Sequence, residues 1–196
     1  DATFGINGYF HLSSNDVDTP YIGESIVELS DGRLVITGQA SSNSGFLLML
    51  DANGKLDTSF GDNGMVLIVP VGSQQIRANS VTTDNNNMIV VAGSQTTFSG
   101  PLDIFLGRFD TTGTPDPSFN GNGRIIRDLA SGLSESINRV EVLSDNSLLV
   151  VGQHDNKALV AKFLNTGGLD TSFNGIGYQA LDVDSQVSNN VDELFD

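Results

Sequence analysis

The sequence predicts an all-β chain of tandem four-stranded antiparallel meanders, the blades of a β-propeller. Three observations carry this expectation. A marker element, D-x-[ST]-F-x-x-x-G, occurs at residues 1–8, 57–64, 116–123 and 170–177. Its phenylalanines, Phe4, Phe60, Phe119 and Phe173, stand 56, 59 and 54 residues apart, and self-similarity at a near-constant period of this length marks a repeat architecture. Between markers lie short runs rich in β-branched and aromatic residues, bounded by turn formers, with no 3.6-residue amphipathic periodicity.

Counted from the marker glycine, each unit offers four strands. Strand a is expected at 9–12, 65–69, 124–126 and 178–181, and strand b at 24–29, 79–83 and 138–143. Strand c falls at 33–38, 88–93 and 148–152, and strand d at 46–50, 104–109 and 158–163. The b–c connections (Ser30–Gly32, Asp84–Asn87, Ser144–Ser147) are hairpin turns whose Asp, Asn and Gly tolerate positive φ. Strand d leads to a second turn at Asn53-Gly54, Thr112-Gly113 and Thr166-Gly167-Gly168. The units span about 4–59, 60–118 and 119–172, with a partial fourth at 173–196. Radial repetition buries each such sheet between its neighbours; a β-sandwich and a β-solenoid with large coils are the runner-up architectures.

Each marker residue has a structural expectation. Phe60, Phe119 and Phe173 plug an apolar pocket between blades. Asp57, Asp116 and Asp170 accept backbone N–H groups in an Asx-type turn. Gly64, Gly123 and Gly177 take a conformation barred to residues with a Cβ. The oxygens of Asp51, Asn53 and Asp57 are spaced as in a calcium loop, but Gly54 is fourth rather than sixth and no Glu occupies the twelfth place, so the turn reading is preferred.

Meander turns alternate between the two ends of a sheet. The b–c and d–a connections share one end and are short or repetitive. The a–b (13–23, 71–78, 130–134) and c–d (40–45, 94–101, 153–156) connections share the other and vary. Variable loops on a rigid scaffold are where binding concentrates, which nominates Asp16, Asp18, Tyr21, Gln75, Phe98, His154 and Asp155 for a protein or glycan partner.

Composition limits the chemistry. Hydrophobic residues at 38% against 17% charged indicate a globular chain. A net charge of −15 disfavours nucleic acid and anionic lipid, and no apolar run reaches the ~20 residues of a membrane helix. There is no cysteine, hence neither a disulfide nor a thiolate metal site. Acidity with abundant Asn, Ser and Thr suits a bacterial extracellular or cell-surface protein, and also a halophile or marine cytoplasm. His11, expected in a strand, and His154 are the sole histidines, too few for a multi-histidine metal site. No P-loop, dinucleotide fingerprint or nucleophile elbow occurs, so no catalytic residue and no cofactor is expected. Asp16 and Asp18 are weak calcium candidates. No carboxylate pair is singled out among 24 acidic residues, and the absence of Trp, with only Tyr9, Tyr21 and Tyr178, weakens a lectin reading.

The hairpin Asp31-Gly32, the strand-ending Gly38, the runs Gly107-Arg108-Phe109 and Ala161-Lys162-Phe163, and the stretch Asp51–Gly64 resemble the delta-60 repeat. Leu48-Met49-Leu50 and Pro115 depart from its pattern. The resemblance implies a bacterial propeller-type repeat of large secreted or surface-associated proteins and little about activity. Three full units and a part of a fourth make an incomplete ring, since a closed propeller needs at least four blades. Either more repeats belong to a longer protein, or copies associate through the strands at 9–12 and 178–183. These features point to a non-enzymatic interaction or adhesion scaffold. A polysaccharide-binding or polysaccharide-degrading domain working through acidic loop residues, and a calcium-stabilised structural repeat, are the alternatives.

Overall fold

The computed structural model describes residues 2–11, 21–40, 43–70, 74–97 and 100–182, with the Thr97 side chain left out. Its described residues form three four-stranded antiparallel sheets and no helix. The first contains β1 (Tyr21–Glu28), β2 (Leu34–Ala40), β3 (Ser44–Leu50) and β4 (Met65–Ile68). The second contains β5 (Gln74–Thr83), β6 (Ile89–Thr97), β7 (Leu102–Phe109) and β8 (Arg124–Arg127). The third contains β9 (Glu135–Val142), β10 (Leu148–His154), β11 (Lys157–Phe163) and β12 (Tyr178–Leu181).

The sheets are out of phase with units counted from the marker. The run after each marker pairs backwards, with strand d of the unit just finished: β4 on β3, β8 on β7, β12 on β11. Tyr178–Leu181 is therefore the fourth strand of the third sheet rather than an orphan. Tyr9 and His11, expected in a strand, belong to no sheet; Tyr9 only bridges Ile6. The rest of the expected partial fourth unit, from residue 183 onward, lies outside the described residues.

Strands β1, β5 and β9 form the inner side of the arc, with β5 packed on both of the others. Each begins three to five residues before the expected start of strand b, because a bulge interrupts the alternation. The bulged residues, Glu24, Asn79 and Asn138, are polar and shift every later side chain to the opposite face, so the residues before them read as loop. The bulge explains the glycine that closes each apolar strand. A Cβ on Gly38, Gly93 or Gly152 would meet the carbonyl oxygen of Ile22, Arg77 or Ser136 at 1.8, 1.8 and 1.9 Å.

Two seams bury the core. Between the first two sheets lie Val35, Leu47, Met49, Phe60, Ile76, Val91 and Phe105. Between the second and third lie Val90, Ile104, Leu106, Phe119, Ile137, Val150 and Phe163. A smaller cluster on the outer face of the first sheet, around Phe46, Leu48 and Leu50, is covered by Phe4 and Phe10 of the leading segment.

Candidate functional site

The two ends of the sheets are built differently. At the b–c and d–a end, one set of joints recurs at each seam. Marker phenylalanines Phe60 and Phe119 are fully buried, whereas Phe173, with no further sheet beside it among the described residues, is half-buried. The next residue donates its N–H to the neighbouring d–a turn: Gly5 to Asn53 at 2.7 Å, Gly61 to Thr112 at 2.8 Å, Asn120 to Thr166 at 2.9 Å. Hairpins are linked likewise, the Ser30 N–H donating to Asn87 Oδ1 at 3.2 Å and the Asn85 N–H to Asn146 Oδ1 at 3.0 Å. Marker glycines Gly64, Gly123 and Gly177 have φ of 94°, 81° and 89°, and a Cβ on Gly64 would meet Leu56 at 2.6 Å.

Marker aspartates are anchored twice. Asp57 and Asp170 Oδ1 each accept the N–H and hydroxyl of the serine two residues on, and Asp116 takes the same two donors from Ser118 on its two oxygens. Their other partner is a cation. Arg108 Nε lies 2.7 Å from Asp116, and its Nη1 donates to the Asn165 carbonyl of the next sheet at 2.7 Å. Lys162 Nζ lies 2.9 Å from Asp170. The equivalent position in the first sheet is Met49, and there Arg33, the residue before β2, approaches instead, 3.2 Å from Asp57 and 3.4 Å from the Thr111 carbonyl. Asp51 Oδ1 accepts the N–H groups of Asn53 and Lys55, so the 51–57 stretch forms turns held by its own backbone.

At the opposite end the seams differ from each other. Here the structure corrects the expected loops: Tyr21, Gln75 and His154 lie in β1, β5 and β10. Tyr21 meets Phe46 edge-on with ring centroids 5.6 Å apart. Gln75 Nε2 donates to Asn43 Oδ1 at 3.4 Å across the first seam. Asp155 sits in the β10–β11 turn with φ 52°, its N–H bonded to the Ser134 carbonyl at 2.7 Å. Asp16, Asp18 and Phe98 lie outside the described residues. Of the nominated residues, only His154 and Asp155 come together, at the second seam.

That seam holds a group the sequence did not single out. Asp103 at the start of β7, Asp128 just after β8 and Glu135 at the start of β9 each place a carboxylate oxygen within 4.8 Å of the other two. Glu135 is fully buried, Asp103 half-buried and Asp128 exposed. Among the described residues no Lys or Arg pairs with them; His154 Nδ1 lies 3.1 Å from Glu135 Oε1, without the alignment of a hydrogen bond. The Leu129 N–H reaches Glu135 Oε2 at 3.4 Å. Burial pushes the Glu135 carboxyl up against the opposing pull of that N–H and of His154, and the charges of Asp128 and Asp103 push the same way as burial. Asp103 is likewise raised, by burial and then by Asp128. Asp103 and Asp128 line a cleft of about 280 Å³ with Gln74, Gln95, Thr96 and Pro101.

Strand register identifies the matching positions of the first seam. Gly38 faces Phe46 as Gly93 faces Phe105, so Asp103, Asp128 and Glu135 correspond to Ser44, Val69 and Ile76. Laying one unit over the next, acidic on neutral or apolar, is the signal that reveals the cluster in the sequence.

Residues 29–60 and 85–119 match a family described as a domain of unknown function (DUF5122) beta-propeller. The matched stretches run from the end of strand b to the marker phenylalanine in the first unit and from the b–c hairpin to it in the second. No curated protein matches the chain. With three meander sheets packed in sequence, the family match shows the fold as β-propeller blades in an incomplete ring.

Proposed function

We propose that this chain is a non-enzymatic interaction or adhesion module of the delta-60 repeat type, acting outside the cell, with its partner bound at the a–b and c–d end of the blades. The carrying observation is the contrast between the ends. Backbone and marker contacts repeat at one end from seam to seam, whereas equivalent positions at the other change from Ser44, Val69 and Ile76 to Asp103, Asp128 and Glu135. A repeated contact serves the scaffold, and side chains that vary on a constant frame serve recognition. Soluble, acidic and free of thiols, the surface suits an oxidising exterior and a protein or glycan partner.

A panel of polysaccharides and cell-surface fractions, screened for binding and for hydrolysis, tests this. The expected result is binding without turnover, weakened by Tyr21→Ala or Gln75→Ala and unchanged by Asn86→Ala at the opposite end. Turnover abolished by Asp128→Asn would replace this reading with a polysaccharide-degrading one.

A further inference from the structure

We propose that Asp103, Asp128 and Glu135 form a binding site for one hard divalent cation of the calcium class, joining the second blade to the third. The site lies at the variable end that the proposed function assigns to a partner and uses the same three residues, but it requires no particular partner there.

Three observations carry it. The first is spacing. Oxygens that share a calcium ion sit about 2.3–2.6 Å from it, so they lie no more than about 5 Å apart; the three carboxylates satisfy this with oxygens within 4.8 Å of one another. The donor set is all oxygen, the preference of calcium and magnesium rather than of zinc or copper.

The second is an oxygen without a partner. Gln95 is only 5% exposed and lines the same cleft, directly opposite Asp103 in the β6–β7 pairing. Its Nε2 is engaged by Gln74 Oε1, while its Oε1 has no hydrogen-bond donor. A buried amide oxygen left unpaired costs about 1–3 kcal/mol, and a cation would satisfy it. Glu135 Oε1, on a side chain with no exposed area, also lacks a donor.

The third is the internal comparison. The first seam closes with Ser44, Val69 and Ile76 in these places, so the fold does not need carboxylates there. Three acidic groups crowded without a Lys or Arg partner repel one another and resist burial. A divalent ion converts that repulsion into a cross-link between β7, the segment after β8, and β9.

The remaining coordination falls to water through the exposed side of Asp128.

The test is isothermal titration of the chelator-stripped 196-residue chain with calcium chloride, in parallel with Asp103→Asn and Asp128→Asn, neither of which alters a fully buried side chain. The expected result is saturable binding of one ion per chain, weakened at least tenfold in each variant, and a melting temperature that rises with calcium in the parent only. No binding up to millimolar calcium, or binding that both variants retain, as an ion held by Asp16 and Asp18 would give, overturns the proposal.

Discussion

The aspartate of each marker does several jobs through one carboxylate. Serine donors close its turn and the cation beside it reaches, in two of three cases, a carbonyl of the next sheet. These contacts favour the ionised form. In Asp170 the Ser172 hydroxyl and then Lys162 hold the carboxyl at about 2, below its ordinary 3.8. Asp57 is lowered chiefly by the Ser59 hydroxyl, and Asp116 by Ser118 and Arg108 against the opposing effect of burial. A folded-state value below the unfolded one means that the unfolded chain takes up protons first as pH drops. The stability these groups contribute is complete above the ordinary 3.8 and is lost as pH falls toward about 2. Denaturant midpoints measured between pH 5 and 2 should fall through this window, and Asp170→Asn should lower the midpoint at pH 5 while flattening the descent. An unchanged slope would mean that the carboxylate is not held ionised by its neighbours. Arg33, just before β2, makes the same contact where Met49 has no charge to offer: the contact, rather than the position, recurs.

At the scale of strands, the bulge is the organising feature. It kinks β1, β5 and β9 and drives their carbonyls onto the glycine of the adjoining strand. Gly93→Ala would place a methyl 1.8 Å from the Arg77 carbonyl oxygen, so β5 or β6 must move. The expected cost is about 1–3 kcal/mol, the range for overpacking a core, seen as a lower melting temperature and faster amide exchange along β5. An exposed Gly121→Ala, which meets nothing within 4 Å, controls for added bulk alone, although its positive φ of 79° carries its own small strain. This feature also marks where the sequence was hard to read. Twelve of the expected strands and the b–c hairpins were legible because alternation and turn residues are local signals, whereas the expected strand at 9–12 joins no sheet. The first turns of the inner strands were not: Glu24, Asn79 and Asn138 break the period of two, which made loops of residues that are paired. Pairing of the marker run with the preceding strand d is a long-range property that no local pattern encodes. The acidic cluster was hidden for a similar reason, since Asp103, Asp128 and Glu135 come from three strand ends that only the packing of two sheets brings together.

For the whole molecule, the seams rather than the individual sheets set the stability. Sheets are held together by apolar side chains from both partners, and each marker phenylalanine enters the seam formed with the sheet that follows it. Phe60 and Phe119 are accordingly sealed, while Phe173, at the same marker position, is half-buried. The open outer faces carry Ile26 and Val151, both substantially exposed, as expected of blades at the ends of an arc. The most direct test of the seam account compares the unfolding free energies of Phe119→Ala and Phe173→Ala in chemical denaturation. Phe119→Ala should lose about 3–5 kcal/mol, the range for a buried phenylalanine, and Phe173→Ala less than half of that. Equal losses would contradict the claim that the marker phenylalanine acts as a wedge between successive blades.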